Sequence, residues 1–208
     1  MKGFVLVSQA VPDVILEIRY HSTFNFVGQR VDGYDEPVAI LTSEAASALK
    51  KASDAAMAMG FRLKVYDAFR PQRAVDHFVR WAADVNDCRM KPYFYPQVDK
   101  SRLFEEGYIA RRSGHSRGST VDVTLVDMMT GTDVDMGGAF DFFGRLSHPD
   151  CKDGLTDRQI ANRMLLQKLM TDAGFRPLDT EWWHFTLVNE PYPDTYFDFP
   201  LRSGGSEA

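Results

Sequence analysis

The spacing of apolar and polar positions changes several times along the chain. Val14, Leu16, Ile18 and Tyr20 alternate with Ile15, Glu17 and Arg19, the two-residue period of a strand with one more buried face. A loop rich in Asn25, Gly28, Gly33 and Asp35 follows. Ala45, Ala46, Leu49, Ala52, Ala56 and Met57 then fit a helix, with Thr42 or Ser43 as its cap and Gly60 as its stop. Residues 61–67 read as a strand. Pro71 stands where the first residue of a second helix belongs, and Val75, Phe78, Val79, Ala82 and Val85 form its apolar stripe.

The second half is less regular. Residues 88–112 contain Pro92, Pro96 and three tyrosines and predict no regular element. Residues 121–126 form an apolar strand interrupted by Asp122, and residues 127–149 read as a Gly-rich loop. Thr156 and Gln159 have capping-box spacing and open a third helix through Ile160, Met164, Leu165 and Leu169, ended by Gly174. Residues 182–188 are a strand by composition. Strands and helices do not alternate strictly, so the expected fold is α+β, with a mixed or antiparallel central sheet flanked by helices.

The 208 residues suit a single domain, 1–201, followed by a small polar tail, 202–208, expected to be flexible. Twenty-four Lys and Arg against 29 Asp and Glu leave a net charge of −5. That balance argues against nucleic-acid and membrane-surface partners. No apolar run approaches the roughly 20 residues of a membrane span, and the apolar stretch within residues 1–10 is short for a signal peptide. Cys88 and Cys151 are the only cysteines. They provide neither a disulfide framework nor a thiolate metal site, and they suit packing in a reduced, cytoplasmic protein.

Two short segments carry candidate chemistry. One runs from Ser113 through His115 to Asp122; the other is Glu181-Trp182-Trp183-His184. Asp122 between Val121 and Val123 either faces water or needs a partner inside the protein. His115 in a Ser/Gly-rich loop, His184 beside two tryptophans and Glu181 are each ordinary alone. Together, two histidines, one aspartate and a nearby glutamate match the logic of a catalytic zinc site with three protein ligands and one open position for water. Zn²⁺ with two neutral imidazoles and Asp122 keeps a charge of +1, which acidifies bound water to a pKa of roughly 7. Residues three apart on a regular strand face opposite ways, so Glu181 must sit at a turn or bulge near Asp179-Thr180 if it is to work beside His184. Arg70, between a strand end and a helix start, is either a surface cation paired with Asp67 or Asp76, or a fixed charge that meets an oxyanion.

These segments, with Asp67 to Ala74, resemble the VanX-type D-alanyl-D-alanine dipeptidases, part of a wider group of zinc D,D-peptidases. The likeness extends through residues 20–26, 33–34, 74–83, 140–142 and 190–200, so it spans about residues 12–200. Ser-x-His-Ser-Arg-Gly-Ser together with Glu-Trp-Trp-His is specific; either half alone points only to the wider group. The resemblance implies one zinc per chain on His115, Asp122 and His184, at the sheet. It also implies Glu181 as general base and Arg70 as stabiliser of the transition state. Asp141 and Tyr20 would hold the substrate's ammonium group, and Ser113 would lie near its carboxylate. Gly114 departs from the family, where a second serine often precedes the first metal histidine. The implied partner is the free dipeptide D-Ala-D-Ala, and homo-oligomer formation is left open. A zinc D,D-carboxypeptidase that trims cell-wall precursors is the first alternative. The second is a zinc-binding module without turnover, which would be expected to have lost Glu181 or Arg70.

Overall fold

The protein is described by a computed structural model covering residues 3–204. Alternation near the start yields less strand than it promises. A short strand β1 (Phe4–Leu6) and a single turn α1 (Val7–Ala10) come first, and β2 is only Ile15–Leu16. Val14, Ile18 and Tyr20 are nevertheless buried, because the extended chain continues past β2. Its amides at Glu17 and Arg19 donate to Val65 and Tyr66.

After β3 (Ile40–Thr42), the Thr42 side chain caps α2 (Ser43–Ala58) by accepting from the Ala45 amide. The helix ends before Gly60, whose φ of +85° suits a residue without a Cβ. β4 (Phe61–Asp67) is the expected strand. Pro71 is the cap of α3 (Gln72–Ala83) rather than its first residue. Val75, Phe78 and Ala82 face inward as expected, but Val85 lies past the helix end and is exposed.

The irregular stretch holds only a short turn, α4 (Lys91–Phe94), and a 3-10 turn at Lys100–Arg102. β5 (Thr120–Asp127) follows, then the loop, then α5 (Asp157–Asp172) with the Thr156–Gln159 capping box formed. Of the apolar positions expected in α5, Leu169 is buried but Met164 is exposed; Arg163, Leu166 and Met170 take the inner face. The hairpin β6 (Phe175–Leu178) and β7 (Glu181–Leu187) supplies the last two strands.

β1 and β3 form a two-stranded antiparallel ribbon. The main sheet has the order β2-β4-β5-β7-β6, with β2 and β4 parallel and every other pair antiparallel. It is therefore the mixed sheet of an α+β fold, with α2 packed on β4 and α5 on β6 and β7. Leu63, Val65, Val121, Val123 and Leu125 are completely buried, each stabilising the fold by about 1.5–3 kcal/mol.

Cys151 is buried, Cys88 is half-buried, and neither is bridged. No helix among the described residues is long and apolar enough to cross a membrane. In the expected flexible tail, Arg202 pairs with Asp35 and the Ser203 amide donates to Glu36; residues 205–208 lie outside the described residues.

Candidate metal and catalytic site

The central strands put the chemistry in one row. Asp122 on β5 sits directly across from His184 on β7 and from Asp67 on β4, and such cross-strand partners point to the same face. A break in register between Val65 and Asp67 brings Asp67 into that row. A second break, between Pro177 and Leu178, lies opposite Glu181. Pro177 pairs with Phe185 and Leu178 with Glu181, so the extra residues lie on β7 itself, between Glu181 and Phe185; Glu181 is the first residue of that strand rather than part of a turn before it.

His115 arrives from a different element. Gly114–Arg117 is a 3-10 turn opened by Ser113, whose hydroxyl accepts from the His115 amide at 3.3 Å. Gly118 closes it with φ +82°, where a Cβ would lie 2.3 Å from the Phe4 ring. The turn carries His115 into the protein, at 1% exposure. Its Nδ1 is 2.7 Å from the Ala68 carbonyl. A carbonyl can only accept, so Nδ1 carries the proton and Nε2 presents a lone pair.

Three donor atoms then converge. His115 Nε2, His184 Nδ1 and Asp122 Oδ1 are mutually 3.2, 3.2 and 3.3 Å apart. A tetrahedron around zinc with bonds of about 2.0–2.1 Å has an edge of about 3.3–3.4 Å. Asp122 Oδ1 is also buried without a hydrogen-bond partner, a costly state that a divalent cation would relieve. The residues therefore fit a metal ion. His21, His77 and His148 join no such group among the described residues.

The electrostatics agree. Burial alone would raise the Asp122 carboxyl, but the two imidazoles outweigh it and hold Asp122 below the usual carboxylate range. Burial disfavours a charged His184, yet the carboxylates of Asp122 and Glu181 push it up to about 9. The same field favours a metal cation.

Glu181 Oε2 lies 3.4 Å from His184 Nδ1, and its side chain is one-third exposed, so it reaches both the donor triangle and solvent. Arg70 joins the site from the β4–α3 connection. Its Nε and Nη2 each lie 2.9 Å from Asp67 Oδ2, and Nη2 is 3.7 Å from Asp122. Arg70 does pair with Asp67, as the plain reading of the sequence allowed, but inside the protein rather than on its surface.

Asp67 is the residue that sequence reasoning undervalued. It is fully buried and also accepts from the Tyr34 hydroxyl at 2.6 Å. It thus fixes Arg70 from beneath. The signal was available, since the aspartate follows Val65 and Tyr66 at the strand end, three residues before Arg70.

Tyr20, Ser113 and Asp141 line the same cleft, of about 410 Å³, as the donor triangle, Glu181 and Arg70. The Tyr20 hydroxyl donates to Asp141 Oδ2 at 2.8 Å. Burial, reinforced by the charge of Asp141, raises Tyr20 far above its ordinary value and keeps it a donor. Burial and the charge of Asp122 also push the Asp141 carboxyl well above the usual carboxylate range; an arriving ammonium would draw it back toward ionisation. Gly114 has room for a hydroxyl-bearing side chain only if Thr120, 3.1 Å from an added Cβ, gives way. Trp182 and Trp183 are both buried and neither lines this cleft; Trp182 borders a separate one instead.

Comparison with known proteins gives a consistent result. The profile of a peptidase family described as D-ala-D-ala dipeptidase matches residues 1–202. A D-alanyl-D-alanine dipeptidase of Streptomyces coelicolor is 42% identical over 198 residues, 95% of this chain and 98% of the relative. One from Enterococcus faecalis is 42% identical over 199 residues, 96% of this chain and 98% of the relative. Among solved structures, a vancomycin resistance D,D-pentapeptidase VanY in complex with Zn(II) is 16% identical, with a TM-score of 0.43 over 76% of this chain and 78% of that one, a likeness too distant to bear on the fold.

Proposed function

The chain belongs to the D-Ala-D-Ala dipeptidase family, and from that premise we propose that it hydrolyses the free dipeptide to two D-alanines with one zinc ion held by His115, Asp122 and His184. The observation that carries this reading is the triangle of donors with Glu181 and Arg70 at its edge, in a cleft of about 410 Å³, a size suited to a small ligand. When bound, zinc acidifies water and polarises the peptide carbonyl.

The remaining work falls to the protein. Glu181 accepts a proton from the attacking water as its oxygen bonds to the carbonyl carbon. It returns that proton to the leaving nitrogen as the C–N bond breaks, so no net proton is consumed by the enzyme. Arg70, held by Asp67, offers N–H donors to the carbonyl oxygen as charge gathers on it. Asp141 and Tyr20 hold the free ammonium, and Ser113 serves the carboxylate end. A substrate with a blocked amino end would leave Asp141 without its partner, which favours a dipeptidase over an enzyme that trims long peptides.

The direct test is an assay of D-Ala-D-Ala beside L-Ala-L-Ala and a longer peptide ending in D-Ala-D-Ala, with and without a chelator. Chelator-sensitive release of D-alanine from the free D,D-dipeptide is expected. Faster cleavage of the long peptide would favour the carboxypeptidase, and no turnover of any substrate by the zinc-loaded protein would favour the binding module. Arg70→Ala is expected to lower kcat by about 10²–10³-fold. It also leaves Asp67 buried without its cation, so the melting temperature falls as well. A change confined to KM would mean that Arg70 binds ground state and transition state alike.

A further inference from the structure

Arg163 on α5 is a buried cation, 4% exposed, with no carboxylate within salt-bridge distance among the described residues. Its hydrogen bonds go to backbone instead. Nε donates to the Met136 carbonyl at 2.6 Å and Nη1 to the His148 carbonyl at 3.2 Å. Nη2 is enclosed and unpaired, and lies 3.2 Å from where a Cβ on Gly138 would stand. The guanidinium carbon also lies 5.8 Å from the centre of the Trp182 ring, and this contact and the two carbonyls only partly offset the cost of burying a guanidinium without an acid.

The two carbonyls mark the ends of the loop 136–148, and this loop carries Asp141. Asp141 has φ +60°, the left-handed region, and is the one non-glycine residue there among the described residues. Such a conformation persists only where the surroundings hold it. α5 adds further ties at the near end, where Gln159 bonds the Asp135 carboxylate at 2.9 Å and Asn162 its carbonyl at 2.8 Å. Among the described residues, Arg163 is the one on α5 that also hydrogen-bonds the far end.

We propose that Arg163 is a positioning residue for substrate: by joining the ends of the 136–148 loop it holds the Asp141 carboxylate against Tyr20, where the dipeptide's ammonium is read. The inference rests on the proposed role of Asp141. It predicts that loosening the clamp weakens binding of the amino end and leaves the chemistry largely intact.

The experiment is steady-state kinetics on D-Ala-D-Ala with the zinc-loaded wild type, Arg163→Met, Arg163→Lys, Asp141→Asn and the Met/Asn double variant, each checked by thermal melting. Arg163→Met should raise KM about tenfold with kcat within about threefold, the loss expected when a charge-assisted contact is displaced. Arg163→Lys, which keeps the cation and can reach one carbonyl, should fall between; it carries the comparison if the methionine variant does not fold. In the Asp141→Asn background the methionine substitution should add nothing to KM. A fall in kcat at unchanged KM, or the same KM increase in both backgrounds, would overturn the role of Arg163. An unchanged KM in Asp141→Asn alone would instead overturn the reading of Asp141 as the ammonium partner.

Discussion

Glu181→Ala is expected to retain its metal and to lose turnover by about 10²–10⁴-fold, the range for removal of a positioned acid–base group. Metal is retained because the donor triangle does not include Glu181; its carboxylate lies beside His184 at 3.4 Å without completing the set. Turnover falls because no other carboxylate can take the proton as well. Asp122 is committed to the triangle, Asp67 lies beneath Arg70, and Asp141 is bonded to Tyr20. Metal analysis and kcat measured on the same preparation decide the matter. Near-normal turnover removes Glu181 from the mechanism, whereas loss of metal would make it a ligand.

His115→Ala is expected to reduce metal content from one ion per chain to a trace and to abolish hydrolysis. Two donors remain of a set that needs three. The substitution also removes the donor to the Ala68 carbonyl and opens a cavity beside Asp122. The melting temperature of the metal-free variant should therefore fall too, since an unpaired buried carbonyl costs about 1–3 kcal/mol. Stoichiometric metal with preserved turnover would show that the ion sits elsewhere.

The long elements were readable because their signals are local. The Thr42 cap and Gly60 stop bound α2, the Thr156–Gln159 box opens α5, and residues 61–67 form a strand as their composition suggests. The errors fell where neighbours decide. Met164 turns outward and Arg163 inward because the loop 136–148, remote in sequence, supplies carbonyls to one face of α5. Asp67 looked like a surface partner for Arg70 because its burial depends on a bulge and on Tyr34, both invisible in a local window. Trp182 and Trp183, successive residues on opposite faces of β7, are both buried because both faces are covered, which a local window does not show.

Side-chain chemistry is written in the sequence: two imidazoles, a lone aspartate in an apolar strand and a glutamate three residues before a histidine limit the reactions this chain can support. Strand order and register, which no local pattern encodes, decided that Asp122 meets His184 across β5 and β7 and that the turn at His115 brings a third donor to within 3.3 Å. Hydrogen bonding and burial act between chain segments far apart in sequence, so only the folded chain could convert those residue types into a site.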